Sequence, residues 1–388
     1  MLDPAALRRI VDARQPRFLA ELERLVNVDC GSYTPEGVNR VADFVTDALR
    51  ELGADVERVP HRPSEGGTQL GDLVVGSLEG DGPRVLLIGH MDTVFDSGTA
   101  AERPYRAEAG RAFGPGVTDM KAGLLAGLHA IAALLEAGVR PAITFVANPD
   151  EEIGSPFSTP HIRRLAPAHE AVLVLECARA NGDIVSARKG IADYHVSIHG
   201  RAAHAGVEPE KGRSAIVEAA HQVLALSALN GRWPTVTVNA GVIRGGTRPN
   251  VVAERCDLEV DLRAATVEAF DAAAAEVERL ASSPSVEGVR IEMRRTAGHP
   301  PMEKTDASAR LLELAIAIAG ELGFAMKDAA TGGASDANTT AALGIPTIDG
   351  LGPVGGDDHS VDEWLDLGSV VPRTTLLAAL VGRIGEAL

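Results

Sequence analysis

A chain of 388 residues exceeds what one ordinary core organises, so two domains are expected. A formal charge of −17 with no basic run argues against nucleic acid as a partner. Cys30, Cys177 and Cys256 form no CxxC pair and fit a reducing compartment; with no apolar leader and no run of about 20 apolar residues, the expectation is a cytoplasmic protein that does not enter a membrane. In chain order, residues 4–28 and 36–53 predict helices, and 54–59 and 72–78 predict strands. Residues 84–89 form an aliphatic, β-branched run without alternation, the pattern of a fully buried strand. A turn-rich stretch, 113–119, leads into a helix over 121–136. Buried strands follow at 142–147 and 171–175.

This alternation predicts an α/β domain, a largely parallel sheet covered by helices. From about residue 187 the pattern changes. Residues 194–199, 236–239 and 256–262 alternate polar and apolar, with helices at about 213–228 and 267–282. That predicts an inserted α+β domain over 187–298, an antiparallel sheet with helices on one face. The chain then returns for a helix at 306–323, a polar turn at 331–336, a strand near 346–349, a loop to His359 and a last helix, so that 1–186 and 299–388 form one domain.

The acids and histidines sit where this architecture binds ligands. His90, Glu151, Glu152 and Glu176 all follow the carboxyl ends of apolar strands, the edge at which open α/β sheets hold their ligands. Asp92 lies two residues beyond His90, on the same face of an extended segment, where it can support the imidazole of a metal ligand. Asp119 occupies a Gly/Pro-rich turn before a helix, and a carboxylate there can bridge two ions about 3.5–4 Å apart. Of the adjacent pair Glu151 and Glu152, one can ligate and the other act as a free base. With His359, the set has two imidazoles, several carboxylates and no required cysteine, which suits Zn2+ or a similar ion at a catalytic site. His129 reads as helix packing, and His195 and His199 as one exposed strand face. Gly350, Gly352 and Gly355 match a dinucleotide fingerprint, but no helix opens there, and Pro353, Asp357 and Asp358 oppose a pyrophosphate. No GxSxG marks a serine hydrolase.

The segments GHMDTVF (89–95), GPGVTDMKAGL (114–124), NPDEEIGS (148–155), LVLEC (173–177), GRAAHAG (200–206), RPNVV (248–252), TGGASDA (331–337) and GLGPVGGDDHSVDEW (350–364) together resemble the M20 metallopeptidases, in their glutamate carboxypeptidase branch. The resemblance implies a zinc-peptidase-like fold carrying two Zn2+ per subunit, with Co2+ or Mn2+ as substitutes. His90 and Glu176 would hold one ion, Glu152 and His359 the other, and Asp119 would bridge them across a cis Asp119–Met120 peptide. Glu151 would be the general base, Asp92 would orient His90, and His204 would polarise the scissile carbonyl. Asn250 and Arg263 match substrate-binding positions. The inserted domain would be a lid through which a homodimer forms. The implied reaction hydrolyses an N-acyl amino acid or short peptide and releases its C-terminal residue, glutamate by this branch. An aminoacylase or dipeptidase preference is the alternative, because His299 precedes Pro300 where glutamate-specific relatives carry arginine. Cys177 replaces a common proline and is expected to pack rather than ligate. A non-catalytic binding relative would need a lost base or ligand, and all are present.

Overall fold

The computed structural model describes residues 2–388 and divides into two compact units, Met1–Ala187 with Lys304–Ala330 and Ser335–Leu388, and Arg188–Glu303 with Thr331–Ala334. The first is built on a six-stranded sheet in the order Asp55–Val59, Leu73–Leu78, Pro141–Asn148, Asp81–His90, Ala171–Val174, Thr347–Ile348. The pairs from Pro141–Asn148 onward are parallel, and the two pairs at the other edge are antiparallel, so the sheet is mixed and mostly parallel. Val85, Leu86, Leu87 and Ile88 are buried on both faces, the environment that permits an unbroken aliphatic run. Register sets the rim. His90 pairs with Asn148 and Ile88 with Val174, so His90, the turn beginning at Pro149 and Glu176 leave the sheet at one level.

Helices Pro4–Val26, Ala122–Glu136 and Val370–Arg383 pack on this sheet in one hydrophobic core. Two helical stretches, Val117–Glu136 and Leu367–Glu386, do meet the length and apolarity of a membrane span, contrary to the expectation from sequence. They are 94% and 72% buried within the protein, so their apolar character is accounted for by the core. Short strands Arg106–Glu108 and Arg111–Phe113 and the helix Ser158–Leu165 are additions to the expected elements.

The second unit is an antiparallel sheet in the order Thr237–Gly245, Arg255–Ala264, Gly190–His199, Arg290–His299, with helices Ala215–Ser227 and Val267–Ala281 packed on it. Ser214 and Thr266 cap those helices by accepting from Val217 N and Ala269 N. Along Arg255–Ala264, Cys256, Leu258, Val260 and Leu262 are buried while the intervening charged residues face outward. Arg290–His299 was not expected as a strand; its inward Ile291 and Met293 are hidden among arginines. This strand carries the unit past 298 to Glu303, where Met302 pairs with Arg188, and Lys189 N donates to Thr331 O at 3.0 Å.

Candidate metal centre

Six residues of the first unit converge at the sheet rim. His90 ends the central strand, 1% exposed, with its backbone N–H on Met120 Sδ at 3.2 Å. Asp119 lies in the turn Val117–Lys121, outside helical φ/ψ, and the Asp119–Met120 peptide is cis. The turn needs glycine before it: Gly116 has φ +70° and a Cβ there would lie 2.5 Å from Thr93 Cγ2. After it, Gly123 lets the helix approach the strand that delivers Glu176, since a Cβ would stand 1.9 Å from Leu175 O.

Asp119 lies between the two imidazoles. His90 Nε2 lies 3.1 Å from Asp119 Oδ1 and 3.6 Å from Glu176 Oε1. His359 Nε2 lies 3.1 Å from Asp119 Oδ2 and 3.1 Å from Glu152 Oε2. Asp119 thus turns one oxygen to each imidazole. Ligand atoms of His90, Glu151 and Glu176, and of His90, Asp119 and Glu152, lie within 4.8 Å of one another.

Glu151 and Glu152 leave the strand in a 3-10 turn rather than an extended segment, which lets both enter the site. Asp92, 1% exposed, holds that turn: its carboxylate accepts from Glu151 N at 3.1 Å, Glu152 N at 3.2 Å and Ser32 Oγ at 2.6 Å. His90 Nδ1 is closer to the Asp92 carbonyl, at 3.0 Å, than to its carboxylate, at 3.4 Å. Asp92 therefore contacts the histidine mainly through its backbone and the glutamate pair through its side chain.

The electrostatics describe carboxylates short of positive charge. Burial and the nearby Glu176, Asp336 and Glu152 push Glu151 well above the usual carboxylate range, against the pull of His90. Burial also raises Glu152, with His359 opposing. Asp119 is lowered despite burial, by its hydrogen bonds to His359 and His90. His359 is pushed up to about 11 by Asp119 and Glu152. His90 rises well above its ordinary value because Glu176, Asp119 and Asp92 outweigh its burial. Among the described residues Glu152 Oε1 is buried without a hydrogen-bond partner. An imidazole and carboxylate set with an orphaned buried oxygen fits a pair of divalent cations.

Other expected residues lie in the second unit. His204 is exposed, and its Nδ1 accepts from Gly206 N at 3.1 Å. Asn250 is exposed on the same loop pair, its carbonyl accepting from Ala205 N at 3.0 Å. Arg263 donates to Asp261 through Nε at 3.1 Å and to Gly332 O through Nη1 at 2.9 Å. His299 closes the strand Arg290–His299 opposite Ile191. Cys177 is buried, with Sγ 3.7 Å from Asp358 Oδ2, and burial raises its thiol well above the usual range.

Sequence reading assigned no role to Glu363, Arg373 or Asp336. Glu363 is 1% exposed and accepts from three backbone amides of the Asp119 turn. Arg373, 2% exposed, donates to the carbonyls of Gly350, Gly352 and Gly182, bracing the loop that runs to His359. Asp336 accepts from Asn148 Nδ2, and from Ser155 Oγ at 2.7 Å, across the loop carrying Glu151. The signal available for Glu363 was its place four residues after His359; a buried arginine inside a helix leaves none.

Similarity to known proteins extends over most of the chain. The profile of Peptidase family M20/M25/M40 matches residues 86–383. Carboxypeptidase G2 from Pseudomonas sp. (strain RS-16) is 33% identical, over 96% of this chain and 90% of that protein. Succinyl-diaminopimelate desuccinylase from Gluconacetobacter diazotrophicus is 27% identical, over 91% of this chain and 94% of that one. The crystal structure of aminopeptidase PepT from Bacillus cereus superposes with a TM-score of 0.78 at 25% identity, covering 95% of this chain and 98% of that one.

Proposed function

This chain belongs to peptidase family M20/M25/M40, and from that premise we propose that it is a two-zinc hydrolase that cuts the amide bond of an N-acyl amino acid or short peptide and releases the C-terminal residue, glutamate first. The family makes it a metallopeptidase or amidohydrolase. The observation that carries the two-ion reading is Asp119, with one oxygen toward His90 and the other toward His359. His90, Glu176 and Asp119 would hold one ion, and His359, Glu152 and Asp119 the other. Bound zinc would polarise the scissile carbonyl and acidify a water.

Glu151 then does the proton work. Its backbone hangs from Asp92, its side chain is half-buried, and its raised affinity for a proton suits a base that takes one from water and returns it to the leaving amine. His204 accepts from Gly206 N at Nδ1, which leaves Nε2 as the atom we assign to the developing oxyanion. Arg263, braced by Asp261, and Asn250 would receive the substrate carboxylate.

His299 favours a second specificity. A neutral imidazole clamps a carboxylate less firmly than arginine, so an aminoacylase or dipeptidase preference follows if another residue is released. The deciding measurement is mass spectrometry of the amino acids freed from an equimolar pool of N-acyl amino acids in zinc-supplemented buffer. Dominant glutamate supports the carboxypeptidase reading; dominant apolar or aromatic residues move the specificity to the aminoacylase reading; no release from this pool or from dipeptides sinks both.

We also propose a cytoplasmic homodimer joined through the second unit, which would act as a lid. Ile216, Val217 and Leu224 on the helix Ala215–Ser227 are 43%, 48% and 71% exposed, and Ile243 on the edge strand Thr237–Gly245 is 56% exposed. An open edge strand beside an apolar helix face suits pairing with a second copy. Light scattering that returned a monomer mass at micromolar concentration would refute this.

A further inference from the structure

Glu363 carries a carboxylate that the proposed chemistry does not use, yet it reaches the backbone of the turn that carries Asp119. The strand Trp364–Asp366 pairs antiparallel with Arg111–Phe113, Trp364 opposite Phe113, which places Glu363 level with the start of the turn that delivers Asp119. There its Oε2 accepts from Gly116 N at 2.8 Å, and its Oε1 accepts from Thr118 N at 2.9 Å and Asp119 N at 3.1 Å. The side chain is 1% exposed, and Trp364 beside it is tied back by its Nε1–H to Asp357 Oδ2 at 2.9 Å. A buried carboxylate is costly unless its lone pairs are filled, and here backbone amides fill them.

The location gives the grip its meaning. Asp119 must present its two oxygens to opposite sides, each 3.1 Å from an imidazole. The turn is closed across Asp119 by Lys121 N donating to Gly116 O at 3.1 Å, and inside it Thr118 N and Asp119 N both donate to Glu363. The same short segment carries His359, four residues earlier, on the other side of the bridge.

We propose that Glu363 is a positioning residue for the bridging carboxylate, locking the Asp119 turn and the His359 segment into one rigid cradle that sets the affinity for the second metal ion. It touches no reacting atom; it acts through Asp119. The proposal rests on the two-ion reading above. Outer-shell partners that orient a ligand typically contribute about 10–100-fold in metal affinity, and that is the effect expected here.

The test compares full-length wild type with Glu363→Gln and Glu363→Ala. Zinc stoichiometry is read by plasma mass spectrometry and affinity by competition with a chromophoric chelator. Melting of the metal-free proteins is followed separately. Wild type should bind two zinc ions. Glu363→Gln keeps one oxygen for Thr118 N and Asp119 N but turns an NH2 toward Gly116 N. Its second zinc should bind about 10–100-fold more weakly, and Glu363→Ala should lose more. A merely structural glutamate would lower the metal-free melting temperature and leave zinc affinity at the wild-type value, and that result overturns the proposal. Wild type that takes up no zinc overturns the two-ion reading itself. If neither variant folds by circular dichroism, hydrogen exchange in the metal-free wild type decides: protected amides at Gly116, Thr118 and Asp119 support a preassembled cradle, and fast exchange there overturns it.

Discussion

The two units use the same acidic side chains in opposite ways. In the second unit, acids stand on the outward face of alternating strands or on exposed helix surface and meet arginines: Asp257 with Arg255, Asp261 with Arg263, Glu259 with Arg244, Glu276 with Arg279. Hydrogen bonds from Arg255 and Ser197 pull Asp257 down to about 2. In the first unit, the acids at the sheet rim are buried among one another. Burial pushes Asp150 to about 6 and Asp336 and Glu363 to about 7. One arrangement pairs its acids with arginines; the other gathers acids and imidazoles that could hold a cation. Burial separates the two sets of acids.

Three experiments probe that contrast. The largest effect should come from Glu151→Gln, which removes the base and keeps the shape. The value of kcat/KM should fall by about 10²–10⁴-fold with zinc content unchanged. Normal turnover in the variant would remove Glu151 from the proton transfer.

An intermediate effect is expected from Asp336→Asn, read as stability against pH in the metal-free protein. Asp336 has a folded-state pKa of about 7, above its ordinary value of 3.8. The fold therefore favours the protonated carboxyl, and stability present below about pH 4 is lost as pH rises through about 7. The variant removes this titration. Its amide is accommodated because Asn148 Oδ1 is buried without a partner among the described residues and can accept once the Asn148 amide turns over. The melting temperature of Asp336→Asn should vary less between pH 4.5 and pH 8 than that of wild type; identical slopes would show that Asp336 does not carry the dependence.

The smallest effect belongs to the second unit. Asp257→Asn breaks a largely exposed ion pair with Arg255 and should cost only about 0.2–1 kcal/mol, fading further in high salt. A loss of several kcal/mol by chemical denaturation would mean that this face is buried in an assembly, which would sharpen the case for a dimer.

Much of the candidate metal site was legible because its residues follow strand ends. The aliphatic run before His90 and the strands before Glu151 and Glu176 mark the rim of an α/β sheet, and the register places those positions level with one another. Asp119 and His359 were legible as a polar residue in a glycine-rich turn and a histidine in a late loop, together with the family resemblance. The strand Arg290–His299 was not, because its outward arginines mask the alternation of an edge strand.

What the sequence by itself determined is therefore local: which runs are buried, where each strand ends, and which side chains stand at those ends. Periodicity and burial are properties of a segment and its solvent, and they are written residue by residue. The tertiary structure alone decided the partnerships between distant segments. Asp92 supports the glutamate turn more than it supports His90. Arg373 holds the loop that leads to His359. Glu363 grips the backbone of Asp119 from 244 residues away. Each of these is one carboxylate or guanidinium meeting backbone groups that carry no side-chain signature, so only the folded chain reveals which ones it meets.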